Sequence, residues 1–302
     1  MHSLVQWMIV LLAAGLILGF TFQPAQRNNI QIDYYADQQQ WPKVIQLSFQ
    51  STEFDRLVIF NINRALFYTG RLLEDMFNYN QFLGTDNLFI NKIMASQIAL
   101  PASDLYFDLG HVNAAQALAY EGQTKFKYNP RILKRLALTN IINGNNAAAE
   151  KFLILLNQSL VHRSWAARYQ KYLTDESLPM NDPLIQAKRE LKPQFDFFIN
   201  QKEPEWDLIK LLSANEKNRM AYEYLMAYFL LDGELGNLVK YLLKFKAVAS
   251  GKMPKHIQEA LILYKALVPP DAEIKLDEFL VNRQTIAQFI RFNKILYENK
   301  AD

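Results

Sequence analysis

The chain has 302 residues, half of them hydrophobic, with 33 basic and 30 acidic side chains and a net charge of +3. Its lysines and arginines are scattered, with small clusters at Lys134-Arg135 and Lys188-Arg189, so the basic stripe that nucleic acid requires is missing. The absence of cysteine excludes disulfides, thiolate metal sites, thiol nucleophiles and a lipid-modified cysteine.

No Lys, Arg, Asp or Glu occurs from Met1 to Gln26, and the run from Leu4 to Phe22 has only Gln6 and Thr21 as clearly polar members. At about 1.5 Å per residue this run just spans a hydrocarbon core of about 30 Å. Trp7 and the pair Phe20/Phe22 stand near its two ends, where aromatic anchors meet headgroups. A cleaved signal peptide needs a basic start and a small-residue cleavage site. Here the start offers only His2, and Gln23-Pro24-Ala25-Gln26 cleaves poorly, so a retained anchor is expected. Arg27 and Lys43 follow it; by the positive-inside bias they favour a cytoplasmic soluble part, but two such charges fix the side only weakly.

Beyond Arg27, apolar residues recur at three- and four-residue spacings, as over 54–73, 132–142 and 221–231, which predicts helices almost throughout. Breaks such as Pro42, Gly84, Pro101, Pro130, Pro179, Pro183, Pro204 and Pro254 leave pieces of helix length. A period emerges on aligning Gly70, Gly110, Gly144 and Gly233, each taken as the turn of a helix pair. Gly110 to Gly144 is 34 residues, the tetratricopeptide length. Eight positions before the glycine stand Ile62, Ala102, Leu136 and Leu225; four before stand Leu66, Tyr106, Asn140 and Phe229. Nine after stand Tyr79, Ala119, Leu153 and Leu242. Five after, Ala115 and Ala149 are small where paired helices approach, whereas Asp75 and Leu238 break that pattern.

The clearest unit is 129–157. Asn129 is the cap, Pro130 the first helical residue, Leu133, Leu136 and Ala137 the buried stripe, and Ala148, Phe152 and Leu155 the returning face. A second unit covers 218–246. The interval from Gly144 to Gly233 leaves room for less regular helices. The expected fold is all-α: a transmembrane anchor over 1–27, then an α-solenoid of tetratricopeptide-like helix pairs over 28–302.

The stretches FNINRALFYTGRLLEDMFNYNQ, DLYFDLGHVNAAQALAYEG, LKRLALTNIINGNNAAAEKFL and NRMAYEYLMAYFLLDGEL resemble an uncharacterised membrane-protein family of Bacteroidetes. The resemblance covers most of the chain from Ile30 onward. It implies several transmembrane helices followed by a tetratricopeptide-like C-terminal domain, a bacterial inner-membrane location and no catalytic residues. This chain has one apolar span, as the terminal part of a longer protein or a split version would.

Chemistry is sparse. His2, His111, His162 and His256 are never at ligand spacing, and no GxSxG, GxxxxGK[ST], GxGxxG or HExxH occurs. Neither metal nor cofactor is therefore expected. Glu176 in Asp175-Glu176-Ser177 resembles the Glu-Ser pair of lytic transglycosylases, but its surroundings read as a solvated loop without the apolar cleft such an acid needs. The aromatic stripe Tyr222, Tyr224, Tyr228, Phe229 and Tyr241 is mostly interhelical core by its spacing. Its tyrosines are also the candidates for a partner-binding face. Lys244, Lys246 and Lys252 read as a solvated face. The functional expectation is a non-enzymatic, membrane-anchored scaffold for a protein or peptide partner. The alternatives are an envelope enzyme on a helical scaffold and an accessory subunit of a transport or biogenesis complex.

Overall fold

The computed structural model describes residues 2–21, 23–49, 55–90, 95–200, 202–246, 248, 252–267 and 281–298. Among these residues the fold is all-helical, with no strand. The chain divides into two compact units at Thr69/Gly70.

The first unit, Met1–Thr69, holds α1 (His2–Thr21), α2 (Pro24–Asp37), α3 (Trp41–Ser48) and α4 (Arg56–Tyr68). Pro24 and Pro42 open α2 and α3 from within their first turns, where a missing N–H costs nothing. Asp55 caps α4 by accepting from the Leu57 N–H at 2.7 Å. Helices α2, α3 and α4 pack on one another, burying Ile32, Ala36, Val44, Ile45, Phe60 and Leu66. Trp41 lies flat on Tyr68, centroids 4.4 Å apart, with the Arg64 guanidinium 5.2 Å from its ring. These contacts make α2–α4 a small core of their own and account for a boundary after α4.

Helix α1 carries no charged residue, and its described apolar side chains, from Val5 to Leu12, are exposed on every face. Among the described residues, no helix is long and apolar enough to cross a membrane. The expected span from Leu4 to Phe22 falls partly outside that description: residue 22 and the side chains of Leu4, Ala14 and residues 16–21 are not in it.

The second unit, Gly70–Asp302, begins with the single turn α5 (Leu72–Asp75) and two 3₁₀ turns, Met76–Asn78 and Gly84–Asn87. Then come α6 (Ala95–Asp108), α7 (Val112–Phe126), α8 (Pro130–Ile142), α9 (Asn146–Asn157) and α10 (Arg163–Gln170). Short α11 (Ser177–Asn181) and α12 (Pro183–Leu191) lead to a non-helical stretch. The unit ends with α13 (Pro204–Ala214), α14 (Arg219–Asp232), α15 (Leu235–Lys244), α16 (Lys255–Leu267) and α17 (Arg283–Glu298). From α6 to α10 each helix packs on the next, while α14 packs on α5, α13, α15 and α16.

Three of the four aligned glycines close helix pairs. Gly110, Gly144 and Gly233 have φ of +83°, +76° and +75°. The following N–H of His111, Asn145 and Glu234 reaches back to the carbonyl of Tyr106, Asn140 and Phe229. That is the Schellman closure, and its acceptors are the residues aligned four before each glycine. Ala115, Ala149 and Leu238, five after, are fully buried, and the Ser103 hydroxyl crosses from α6 to the Ala115 carbonyl at 2.6 Å.

Gly70 fails as the turn of a full pair. The helix after it is one turn long, because Asp75 is drawn into bonds with Arg71 and the Asn78 amide and the chain tightens into a 3₁₀ turn. Tyr79 is accordingly a half-buried loop residue. In α9 the buried stripe is Ala149, Phe152, Leu153 and Leu156, one step on from the expected Ala148 and Leu155, since α10 as well as α8 packs on this helix.

The basic pairs are structural. Lys188 donates to the Asp108 carbonyl at 2.9 Å, and Arg189 reaches the Ile141 and Ile142 carbonyls, so α12 caps the C-termini of α6 and α8. Arg135 and Arg131 grip the buried Asp104, and the Arg135 guanidinium lies 3.8 Å from the Phe107 centroid.

Candidate functional site

The tyrosine stripe splits in two. Asn218 starts α14 by accepting from the Ala221 N–H at 3.1 Å, while its amide donates to the Leu109 carbonyl at 2.9 Å. With α5, α13, α15 and α16 all against it, α14 buries every residue from Met220 to Phe229. Tyr224 is fully buried, edge-on to Phe89 at 6.1 Å, and Tyr222 is buried as well. Both belong to the core. Tyr228 and Tyr241 are mostly buried too, but each lines a cleft of about 270 Å³ between α13, α14 and α15.

Three helices supply that cleft. From α13, Glu205, Trp206 and Ile209 face it; from α14, Tyr228, Phe229 and Asp232; from α15, Asn237, Lys240 and Tyr241, with Glu234 in the turn between. The spacings of three and four within each helix put these residues on one face. Phe229 stacks on Tyr241 at 5.6 Å and 14°, and Tyr228 meets Phe229 edge-on at 5.8 Å. Trp206 is 48% exposed at the rim. Three carboxylates face a single ammonium: Lys240 stands 5.2 Å from the Tyr241 centroid, and Glu234 accepts from the Asn237 amide at 2.6 Å. Glu205 is half-buried, with its carboxylate in hydrogen-bonding contact with the Tyr228 hydroxyl. Burial, and then the neighbouring Glu205 carboxylate, raise the Tyr228 phenol above its usual range.

A second polar cluster holds the start of α13. Asp207 Oδ2 accepts from the Asn200 N–H at 2.9 Å and from the Tyr106 hydroxyl at 3.5 Å. Burial raises this carboxyl to about 6. His111 caps α7 by accepting from the Ala114 N–H, and its ring lies against Phe197 at 4.2 Å. Burial lowers it to about 4, against the pull of Asp196 and the Phe197 backbone. The cluster ties residues 196–200 to α6 and α13.

The remaining nominees do not line this cleft. Glu176 is exposed at the start of α11, and Ser177 is bonded to Asp175 rather than to it. His256 binds Glu259 at 2.7 Å and packs on Phe77. Among the described residues no three His, Cys, Asp or Glu side chains converge as metal ligands. A groove beside α7 is lined by Asn113, Gln116, Asn143 and Lys192, whose polar groups bond one another. Lys244, Lys246 and Lys252 are exposed, as expected.

Sequence reasoning reached Tyr228 and Tyr241 but missed Glu205, Trp206, Asp232, Glu234 and Lys240. Asp232 four residues after Tyr228, and Lys240 beside Tyr241, were the local signals for an acidic-aromatic face. Against known proteins, the chain belongs to a family of unknown function (DUF6057), matched over residues 2–302. No curated protein and no solved structure matches it. The family match carries neither a lineage nor a repeat class.

Proposed function

We propose that this member of the family is a membrane-attached scaffold of tetratricopeptide-like helix pairs that binds a protein or peptide partner in the α13–α14–α15 cleft. The observation that carries the reading is the cleft itself: concave, aromatic-walled, acidic, and open at Trp206. Binding sites of this kind bring a few polar groups together on an apolar wall. Membrane attachment rests on α1. A helix apolar on every face belongs in a protein core or a bilayer, and the described apolar side chains of α1 are exposed. Twenty residues give about 30 Å, the hydrocarbon thickness.

Two measurements test the reading. The full chain is expected to float with membrane vesicles after an alkaline carbonate wash; release into the supernatant defeats the anchor. A photo-crosslinking residue at position 206 is expected to give one specific adduct in membranes, compared with the same probe at Tyr128, exposed on the loop before α8. The adduct's partner, purified, should bind Trp206→Ala at least tenfold more weakly than wild type and Tyr128→Ala equally well. Equal labelling at both positions, or equal affinity of Trp206→Ala, removes the cleft from the function.

A further inference from the structure

Resting on the membrane attachment in that reading, we propose that one end of the α6–α10 array docks on the surface of a bilayer containing anionic lipid. That end is formed by the α7–α8 and α9–α10 loops. The end that carries the Gly110 and Gly144 turns stays in water.

The placement follows from the packing. Each helix from α6 to α10 lies on the next, and the links between them are three to five residues long. Links this short make neighbouring helices antiparallel, so alternate links share an end. Lys134, early in α8, stands 5.4 Å from the ring of Trp165, early in α10, which sets the starts of these two helices side by side.

Two observations converge at this end. The first is apolar surface held out in water. Tyr128 is 70% exposed, Leu160 87% and Val161 79%, and Phe126 is exposed beside them in the chain. Hydrogen bonds fix the backbone that carries them. The Lys127 N–H donates to the Gln123 carbonyl at 2.8 Å and the Asn129 N–H to the Phe126 carbonyl at 3.0 Å. The Ser159 N–H reaches Leu156 at 3.1 Å and the Arg163 N–H reaches Ser159 at 2.9 Å, bracketing Leu160 and Val161. Lys127 also takes a φ of +41°, which a residue with a side chain adopts at a cost. Apolar groups displayed by pinned loops mark an interaction surface. The second observation is charge. Lys125, Lys127 and Arg163 are exposed around these apolar tips, and Lys134 stands a turn further in, against Glu121 in the last turns of α7.

A bilayer surface answers both. Phe, Leu and Val enter the acyl boundary, tyrosine rings sit at headgroup level, and lysine and arginine stems reach the phosphates. Anionic lipid adds about fivefold in affinity for each basic residue near the surface. An acidic protein is the competing occupant. The tether decides between them: α1, apolar on every described face, confines this chain to a membrane, and an attached surface docks at high effective concentration.

The chain has no cysteine, so a single introduced cysteine labels uniquely. Tyr128→Cys and Leu160→Cys report on the docking end. Asn145→Cys, exposed at the opposite end with no cap bond from its side chain, is the control. Each full-length variant carries a nitrobenzoxadiazole dye and is reconstituted into vesicles of phosphatidylcholine alone or mixed with phosphatidylglycerol. In the anionic vesicles, dyes at 128 and 160 should shift to the blue and be quenched by nitroxide-labelled lipid, while the dye at 145 does neither. Neutral vesicles should abolish most of the signal. With the dye at 160, Lys125→Gln/Lys127→Gln/Arg163→Gln should lower the docked-to-undocked ratio on the order of a hundredfold, with circular dichroism unchanged because all three positions are exposed. Silence at 128 and 160, equal quenching at 145, or a signal that persists in neutral vesicles or in the triple variant overturns the proposal. If carbonate releases the chain while both dyes still respond to added anionic vesicles, the anchor falls and the docking surface stands. If the chain stays with the vesicles and both dyes are silent, only the docking surface falls.

Discussion

Asp207→Asn tests the polar cluster that sets the position of α13, and so of Glu205 and Trp206. Asp207 is 1% exposed and His111 is 2% exposed, and burial moves them in opposite directions: the carboxyl up to about 6, the imidazole down to about 4. The charges felt by the two are Glu205, Lys210 and Asp196, with the Tyr106 hydroxyl beside Asp207. Between pH 4 and 6 the folded chain keeps a proton on Asp207 that the unfolded chain has lost. Stability therefore falls as pH rises through this window, by about 3 kcal/mol for a shift of about two units. His111 does the reverse. Up to about pH 6.5 the unfolded chain binds the proton that the folded chain refuses, so its contribution rises with pH by a similar ~3 kcal/mol. In the wild type the two slopes largely cancel. Asp207→Asn removes the falling one and keeps an acceptor for the Asn200 N–H. The variant should match wild type near pH 4 and gain on it by about 2–3 kcal/mol by pH 7, less about 1 kcal/mol for the amide hydrogens it brings inside. His111→Asn, which preserves a cap for α7, should show the opposite trend. Urea unfolding of the full chain in detergent, followed by circular dichroism at pH 4, 5, 6 and 7, measures both. A variant-minus-wild-type difference for Asp207→Asn that is flat, or that falls with pH, would falsify the account.

Gly110→Ala should be far more harmful than Gly144→Ala. Both have φ near +80°, which costs an alanine about 1 kcal/mol, but a Cβ on Gly110 would lie 2.4 Å from Leu191 Cβ whereas none of the surroundings of Gly144 comes within 4 Å. The extra clash adds roughly 1–3 kcal/mol, and Leu191→Ala in the same chain should recover part of it; equal urea midpoints for the two glycine variants refute the contact. Asp104→Ala leaves the Arg131 and Arg135 guanidinium groups without their shared partner and should cost on the order of 3 kcal/mol. Arg71→Met, at a half-exposed pair four residues apart, should cost under about 0.5 kcal/mol. Lys188→Met should cost about 1–2 kcal/mol and accelerate amide exchange at the C-terminal end of α6, where the ammonium now holds the Asp108 carbonyl.

How far the chain could be read depended on the distance over which each signal acts. The glycine alignment held at Gly110, Gly144 and Gly233 because a Schellman closure is decided within about six residues: a left-handed glycine, a carbonyl four before it, an amide one after. The cap at Asn129 was equally local, its side chain accepting from the Arg131 N–H two residues on. Gly70 carried the same first half of the signal, yet Arg71, Asp75 and Asn78 spent their side chains on one another and stopped the second helix after one turn. A glycine ends one helix without specifying the length of the next.

The site was less legible, because burial of one helix is set by others far away in the sequence. Tyr222, Tyr224 and Tyr228 share one short run, and nothing within α14 says that α5 and Phe89 would close over Tyr224 while Tyr228 would reach a cleft. Glu205 and Tyr241 look like an ordinary first-turn acid and an ordinary core aromatic until α13 and α15 bring them together across α14. The same holds for Lys188 and Arg189, which stand in the sequence as one small basic cluster and became the caps of two helices that begin more than forty residues earlier. A charged residue on a short helix is therefore ambiguous from sequence by nature. Its partner is a carbonyl, and carbonyls leave no mark in the sequence.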